Sequence, residues 1–84
     1  MLGGEEGRIV GALAFFPDGR RVITGQGNGI AKVWDSATGA LLQTLTGGNS
    51  LLVTLSVHPS GDYVIAGEKD GDLIVWDVAT GRLL

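Results

Sequence analysis

The chain repeats itself once, with a period of 42 residues. Trp34 and Trp76 are 42 positions apart, and the same offset relates Pro17 to Pro59. Fifteen of the 42 aligned pairs are identical, and they cluster at glycines and at apolar positions. Two units of 42 account for all 84 residues. The sequence therefore predicts two copies of one supersecondary unit, a kind of unit that buries its core only by stacking on neighbours.

Each unit is predicted to form four short β-strands joined by turns. Valine, isoleucine, leucine and threonine dominate the apolar segments, and helical periodicity is absent. Glycine-containing segments separate the strands. The predicted strands are residues 8–16, 20–25, 30–35 and 40–45 in the first unit and 51–58, 62–67, 72–77 and 82–84 in the second.

Two kinds of turn are expected in each unit. Pro17 suits the second position of a type I turn, which Gly19 would close. Asn28-Gly29 predicts a two-residue hairpin, because this dipeptide tolerates two positive φ angles. The counterparts of these turn residues in the second unit are Pro59, Gly61 and Asp70-Gly71.

A strand that ends in Trp-Asp occurs once in each unit, as Val33-Trp34-Asp35 and Val75-Trp76-Asp77. With the period and the glycine turns, these segments make the whole chain resemble the WD-repeat family of β-propellers. The resemblance implies an all-β fold of two four-stranded antiparallel blades, residues 1–45 and 46–84, the second with a shortened fourth strand. Homo-oligomerisation would complete the propeller. The implied blade-signature residues are Trp34, Asp35, Trp76, Asp77, Pro17, Gly19, Pro59, Gly61, Gly29 and Gly71.

The polar residues that this family buries within a blade are only partly present. Family blades often contain a hydrogen-bonded set of Asp, His, Ser or Thr, and Trp. By alignment, Glu6 and Gly48 occupy the histidine position, and Ala66 replaces the hydroxyl residue that Thr24 supplies in the first unit. We therefore expect a broken polar network and a larger contribution from hydrophobic packing.

Charge and composition argue against several partner classes. The net charge is −3 and the isoelectric point is about 4.7, which disfavours nucleic acid and anionic membranes as partners. The absence of cysteine excludes disulfides and thiolate metal ligands. The sequence shows neither a secretory signal nor an apolar stretch of about 20 residues, so we expect a cytoplasmic protein.

No group of residues predicts catalysis or a cofactor. The only histidine, His58, has no nucleophile or orienting carboxylate that the sequence places beside it, and is interpreted as a strand-end residue. The segment GQGNG at 25–29 lacks the spacing of a phosphate-binding loop. In EKDGD at 68–72 the glycine is misplaced for an EF-hand calcium loop. We expect no enzymatic activity, no cofactor and no metal.

Charged residues before the first strand of a unit, and between its second and third strands, would share one face of a propeller. We interpret them either as a docking face for a basic peptide, a protein partner or a cation, or as a solvated surface that keeps the assembly soluble. The candidate residues of this interaction face are Glu5, Glu6, Arg8, Glu68, Lys69 and Asp70.

Two blades leave two apolar faces uncovered, so the chain is predicted to assemble with itself head-to-tail into a closed ring. Whole two-blade chains give only even numbers of blades. The family resemblance favours a homotetramer with eight blades over a homotrimer with six. The predicted function is a non-enzymatic, self-assembling scaffold and protein-interaction module, with a lectin-type ligand-binding propeller as the alternative. The residues leave a natural or an engineered origin open.

Overall fold

Strands and turns make up the described part of the chain, residues 10–84 of a computed structural model. The strands form two four-stranded antiparallel sheets, blade 1 and blade 2, each with its strands in chain order. This confirms the predicted all-β architecture. Within residues 10–84, no helix is long and apolar enough to cross a membrane. The strands are β1 (Val10–Phe15), β2 (Arg21–Gln26), β3 (Ala31–Asp35), β4 (Leu41–Leu45), β5 (Leu52–Val57), β6 (Tyr63–Glu68), β7 (Leu73–Asp77) and β8 (Arg82–Leu83).

The turn between the first two strands of each blade follows from its proline and glycine. The amide of Gly19 donates a 3.0 Å hydrogen bond to the carbonyl of Phe16, which places Pro17 at the second position of the turn. Gly19 has a φ of 70°, a left-handed conformation that favours glycine. Gly61 repeats this bond to the carbonyl of His58 at 2.7 Å. The expected reverse turn therefore forms in both blades.

The hairpin between the second and third strands is one residue longer than predicted. The Gly29 amide donates to the Gln26 carbonyl, and the Gln26 amide donates to the Ile30 carbonyl at 2.9 Å. Three residues, 27–29, therefore connect the strands, and the expectation of a two-residue turn was wrong. A type I turn followed by one left-handed residue has this length, and Gly29 supplies that residue with a φ of 77°. Residues 68–72 repeat the same bonds in blade 2.

The outermost strand is shorter in blade 2 than in blade 1. Strand β4 spans five residues, whereas β8 spans two. Within the described chain, β8 pairs only with Trp76 and Asp77 of β7, and the Leu84 amide adds one bond to the Val75 carbonyl at 2.8 Å. The outer edge of β7 is therefore only partly paired.

The hydrophobic core lies between the two blades. Side chains alternate between the faces of a strand, so one set from each sheet meets the other sheet. On this inner face blade 1 contributes Ile23 and Leu45, and blade 2 contributes Leu52 and Trp76. The complete buried cluster is Phe16, Ile23, Ala31, Val33, Leu45, Leu52, Val64, Ala66, Trp76 and Val78.

The linker between the blades, residues 46–51, is hydrogen-bonded to both sheets. The Gly48 amide donates to the carbonyl of Gly29 in the blade 1 hairpin at 3.2 Å. The Lys69 amide of blade 2 donates to the Leu51 carbonyl at 2.8 Å. A direct bond between the blades joins Gln43 Nε2 to the Val78 carbonyl at 2.7 Å. These bonds supplement the apolar contact between the sheets.

The close approach of the sheets predicts a sharp difference between two glycines. A Cβ atom at Gly25 would lie 2.6 Å from Leu52 Cβ, so the blades would have to separate locally. We expect Gly25→Ala to lower the free energy of unfolding by about 1–3 kcal/mol through overpacking. Gly27 has open space around it, and Gly27→Ala serves as the control, with little effect. Urea denaturation of both variants tests this; equal midpoints would contradict the described packing.

Candidate functional site

The two tryptophans of the Trp-Asp segments occupy equivalent strand positions but have different hydrogen-bond partners. In blade 1, Trp34 Nε1 donates to Thr24 Oγ1 at 2.9 Å. In blade 2 the hydroxyl is missing because Ala66 stands at the position of Thr24, and Trp76 Nε1 donates instead to the carbonyl of Thr46 at 2.8 Å. The polar network is thus retained in part in blade 1 and replaced by a linker contact in blade 2.

The aspartates that follow these tryptophans close the turn between the third and fourth strands. Asp35 Oδ1 accepts bonds from the amides of Ala37 and Thr38 at 2.8 and 2.9 Å. These amides, Thr38 first and Ala37 second, hold the pKa of the Asp35 carboxyl below its ordinary value. Asp77 Oδ1 accepts only one such bond among the described residues, from the Thr80 amide at 3.2 Å. Both aspartates therefore serve the turn rather than a ligand.

The described surroundings of His58 do not form a catalytic arrangement. His58 Nδ1 lies 2.9 Å from Ser60 Oγ and accepts a bond from the Ser60 amide at 3.1 Å. The imidazole packs edge-on against Tyr63. Ser60 Oγ also accepts from the Asp62 amide at 3.1 Å. These bonds place the His58 ring within the turn, as expected for a strand-end residue.

The predicted charged interaction face is only partly described, and one of its members is not at the surface. Glu68 is 4% exposed, because its Oε2 accepts bonds from the linker amides of Asn49 and Ser50 at 2.6 and 2.8 Å. The expectation of a surface-exposed Glu68 was therefore wrong. Lys69 and Asp70 are exposed on the adjoining turn. The remaining candidates, Glu5, Glu6 and Arg8, lie outside the described residues.

Blade 1 presents a largely apolar face on the side away from blade 2, which we call the leading face. Phe15, Val22 and Trp34 lie on it together, as the register of β1, β2 and β3 shows. Phe15 is exposed, whereas Trp34 is buried outside the core cluster between the blades. The full leading face comprises Leu13, Phe15, Val22, Thr24, Lys32 and Trp34.

Blade 2 has a corresponding outer surface, the trailing face, on the side away from blade 1. Ile65 and Val75 are paired across β6 and β7, and Leu73 follows at the edge of the same surface. Ile65 is 42% exposed and Leu73 is 74% exposed. The full trailing face comprises Thr54, Ser56, Ile65, Gly67, Leu73 and Val75.

The two outer faces repeat the two faces that meet inside the chain. The leading face is exposed at Leu13 and Phe15 but buried at Val22, Thr24 and Trp34. With the offset of 42 residues, Ile65 and Val75 of the trailing face correspond to the buried Ile23 and Val33. Isoleucine at this position is 0% exposed in blade 1 and 42% exposed in blade 2. The difference arises because a second sheet covers only the former.

Comparison with known proteins agrees with this geometry. The sequence profile described as WD domain, G-beta repeat matches residues 1–35 and 39–77, well over half of the chain. The chain belongs to the WD40 family. WD40 propellers are generally non-enzymatic scaffolds and commonly bind protein partners. No curated protein matches the sequence significantly.

Solved WD40 propellers superimpose closely on the two blades. The chain is similar to the RRP9 WD40 repeats, with a TM-score of 0.85, 17% identity and coverage of 99% of this chain and 26% of that chain. The β-propeller domain of Cps50 (Swd1) from Myceliophteria thermophila gives a TM-score of 0.81, 23% identity and coverage of 89% and 24%. The C-terminal WD40 domain of Sif2 gives 0.83, 28% identity and coverage of 99% and 23%. The chain thus spans about a quarter of the length of these structures.

The capping bonds of Asp35 predict a pH-dependent contribution to stability. A carboxyl whose pKa is lower in the folded state stabilises the fold at pH values above its unfolded pKa, and this stabilisation is lost as the pH falls through the folded pKa. We expect Asp35→Asn to lower the denaturation midpoint at pH 7, with the deficit disappearing below about pH 4. Asp77→Asn, which loses charge at a turn with one capping bond, should have the smaller effect. A constant deficit for Asp35→Asn across the pH range would contradict the assignment.

Proposed function

We propose that this WD40 chain is a non-enzymatic scaffold module that completes a closed propeller by stacking on further copies of itself. The observation that carries the proposal is the correspondence between the two outer faces of the chain and the two faces that meet inside it. The trailing face has the isoleucine and valine of the inner face of blade 1, and the leading face has the valine and tryptophan of the inner face of blade 2. A second copy therefore offers the trailing face a matching surface.

The exposed apolar side chains indicate that these faces require a partner. Leu73 occupies the position of Ala31, which is fully buried between the blades, yet Leu73 is 74% exposed. Contiguous apolar surface on a small soluble protein typically marks an interaction site. The trailing face also continues to the partly paired outer edge of β7. Contact with the leading face of another copy would cover this surface head-to-tail.

Six substitutions distinguish the proposed joint between chains from the interface within a chain. On the trailing side, Thr54, Ser56 and Leu73 stand in place of Ala12, Ala14 and Ala31. On the leading side, Phe15, Thr24 and Lys32 stand in place of Val57, Ala66 and Ile74. The joint between chains would thus contain two larger apolar side chains, three hydroxyls and one charge. The indole Nε1 of Trp34 already donates to Thr24 Oγ1. Burial of these two side chains in the joint would therefore leave no indole donor unpaired.

Closure with whole chains restricts the ring to an even number of blades. Each chain contributes two blades, so four chains give eight blades and three chains give six. The homotetramer is the proposed state and the homotrimer is the competing one. Partner binding would then use the loops of the disc, where the exposed Lys69 and Asp70 are the described candidates. In the ring, the loop of blade 2 that carries Lys69 and Asp70 would alternate with the equivalent loop of blade 1.

Native mass spectrometry tests the proposal directly. With a chain mass of 8.7 kDa, four chains give 34.8 kDa and three give 26.1 kDa, which the measurement separates. We expect the tetramer mass. A folded species of 8.7 kDa at micromolar concentration would overturn self-assembly.

A charge on the trailing face should separate the chains. Ile65→Arg places a cation where a second copy would cover it, so we expect a shift to lower mass with the β-sheet circular dichroism retained, because Ile65 is 42% exposed within one chain. Leu42→Arg is the matched control, since Leu42 is 52% exposed at the bulge of β4 on the outer edge of blade 1. Equal masses for both variants and the parent would contradict the proposed joint.

A further inference from the structure

Three carboxylates converge on the hairpin that joins β6 to β7. Glu68, Asp70 and Asp72 each offer an oxygen atom, and these atoms all lie within 4.8 Å of one another. Glu68 is buried at the end of β6, whereas Asp70 and Asp72 are exposed on the turn. The cluster is therefore open to solvent on one side and closed by the protein on the other.

The buried carboxylate has one oxygen that the protein does not satisfy. Glu68 Oε2 accepts the amides of Asn49 and Ser50, which fix the side chain in place. Glu68 Oε1 is inaccessible to solvent and has no hydrogen-bond partner among residues 10–84. Burial of a carboxylate oxygen without a donor or a cation is costly, so a bound cation would stabilise this atom.

Blade 1 shows that the fold itself does not require this charge. The equivalent hairpin has Gln26, Asn28 and Ile30 at the positions of Glu68, Asp70 and Asp72. It forms the same two backbone bonds, and Gln26 is 2% exposed. Gln26 Nε2 is itself buried without a partner in the described part of the chain, so a neutral side chain is accommodated at this position without being fully satisfied. Asp70 Oδ1 accepts the Asp72 amide at 3.2 Å, but the hairpin does not require the charge of Glu68.

We propose that Glu68, Asp70 and Asp72 bind a divalent cation, and that Ca²⁺ is the preferred ion. A donor set of carboxylate oxygens alone selects hard cations over Zn²⁺ or Cu²⁺. Oxygens bound to one Ca²⁺ lie at most about 5 Å apart, so three oxygens within 4.8 Å of one another can share one ion. Mg²⁺ demands near-ideal octahedral geometry and gives up its water reluctantly, so three carboxylates on a hairpin favour Ca²⁺. The site differs from an EF-hand because its ligands are alternate residues of a β-hairpin.

The position of the site predicts what the cation would do. Glu68 connects the hairpin of blade 2 to the linker amides, so a cation held by Glu68 would also stabilise the joint between the blades. Three carboxylates completed by water form a weak site, with a dissociation constant on the order of 10⁻⁴–10⁻³ M. Binding requires only residues of one chain and is independent of the proposed ring.

Isothermal titration with CaCl₂ and thermal unfolding in Ca²⁺ or EDTA test the site in the complete chain. We expect one Ca²⁺ per chain and a saturable rise in the melting temperature, with a weaker response to Mg²⁺. Absence of any response in the parent up to about 10 mM Ca²⁺, ten times the weak limit of such sites, would overturn the proposal.

Variants that copy residues of the blade 1 hairpin into blade 2 distinguish binding from folding. Glu68→Gln with Asp70→Asn reproduces the blade 1 hairpin at these two positions, so we expect a folded protein without the Ca²⁺ response. Asp72→Asn, at an exposed position, should weaken Ca²⁺ binding at least tenfold even if the double variant is unstable. Asp62→Asn removes the same charge at an exposed position outside the cluster and should bind like the parent. An undiminished Ca²⁺ response in Asp72→Asn would also overturn the site.

Discussion

The stacking of one sheet on the other is the contact on which the rest of the molecule depends. The core lies between the blades rather than within either of them, with Ile23 and Leu45 on one side and Leu52 and Trp76 on the other. A sheet of four short strands has no buried interior of its own and gains one only from a second sheet. The small residue Gly25 allows the approach, because Leu52 occupies the space that a Cβ would need.

Much of this arrangement follows from periodicity and turn chemistry alone. The offset of 42 residues predicts two equal units, and the prolines and glycines predict where each unit reverses direction. The strands found in residues 10–84 match the predicted segments to within about two residues, the usual uncertainty of such boundaries. These features are local. A proline or glycine sets the backbone conformation of its own turn, and the alternation of apolar side chains depends on one strand alone.

The features that the sequence did not predict depend on contacts between distant parts of the chain. Trp76 Nε1 donates to the backbone carbonyl of Thr46. Because every residue has a backbone carbonyl, no residue type in the sequence points to this acceptor. Glu68 is buried because two linker amides point at it, although glutamate in a charged turn suggests a surface position. Only tertiary structure places these partners together. The acidic residues suggested a cation as one possible partner, but a site made by Glu68, Asp70 and Asp72 depends on the burial of Glu68, which the sequence did not predict.

The linker has a mechanical consequence for any ring built from this chain. It is bonded to the blade 1 hairpin through Gly48, to Glu68 through two amides and to Trp76 through Thr46, so it reinforces the joint that it crosses. A joint between two chains would have the stacked faces without a covalent crossing. Strong and weak joints would then alternate around the circumference. Under load or dilution such a ring would open between chains and release intact pairs of blades.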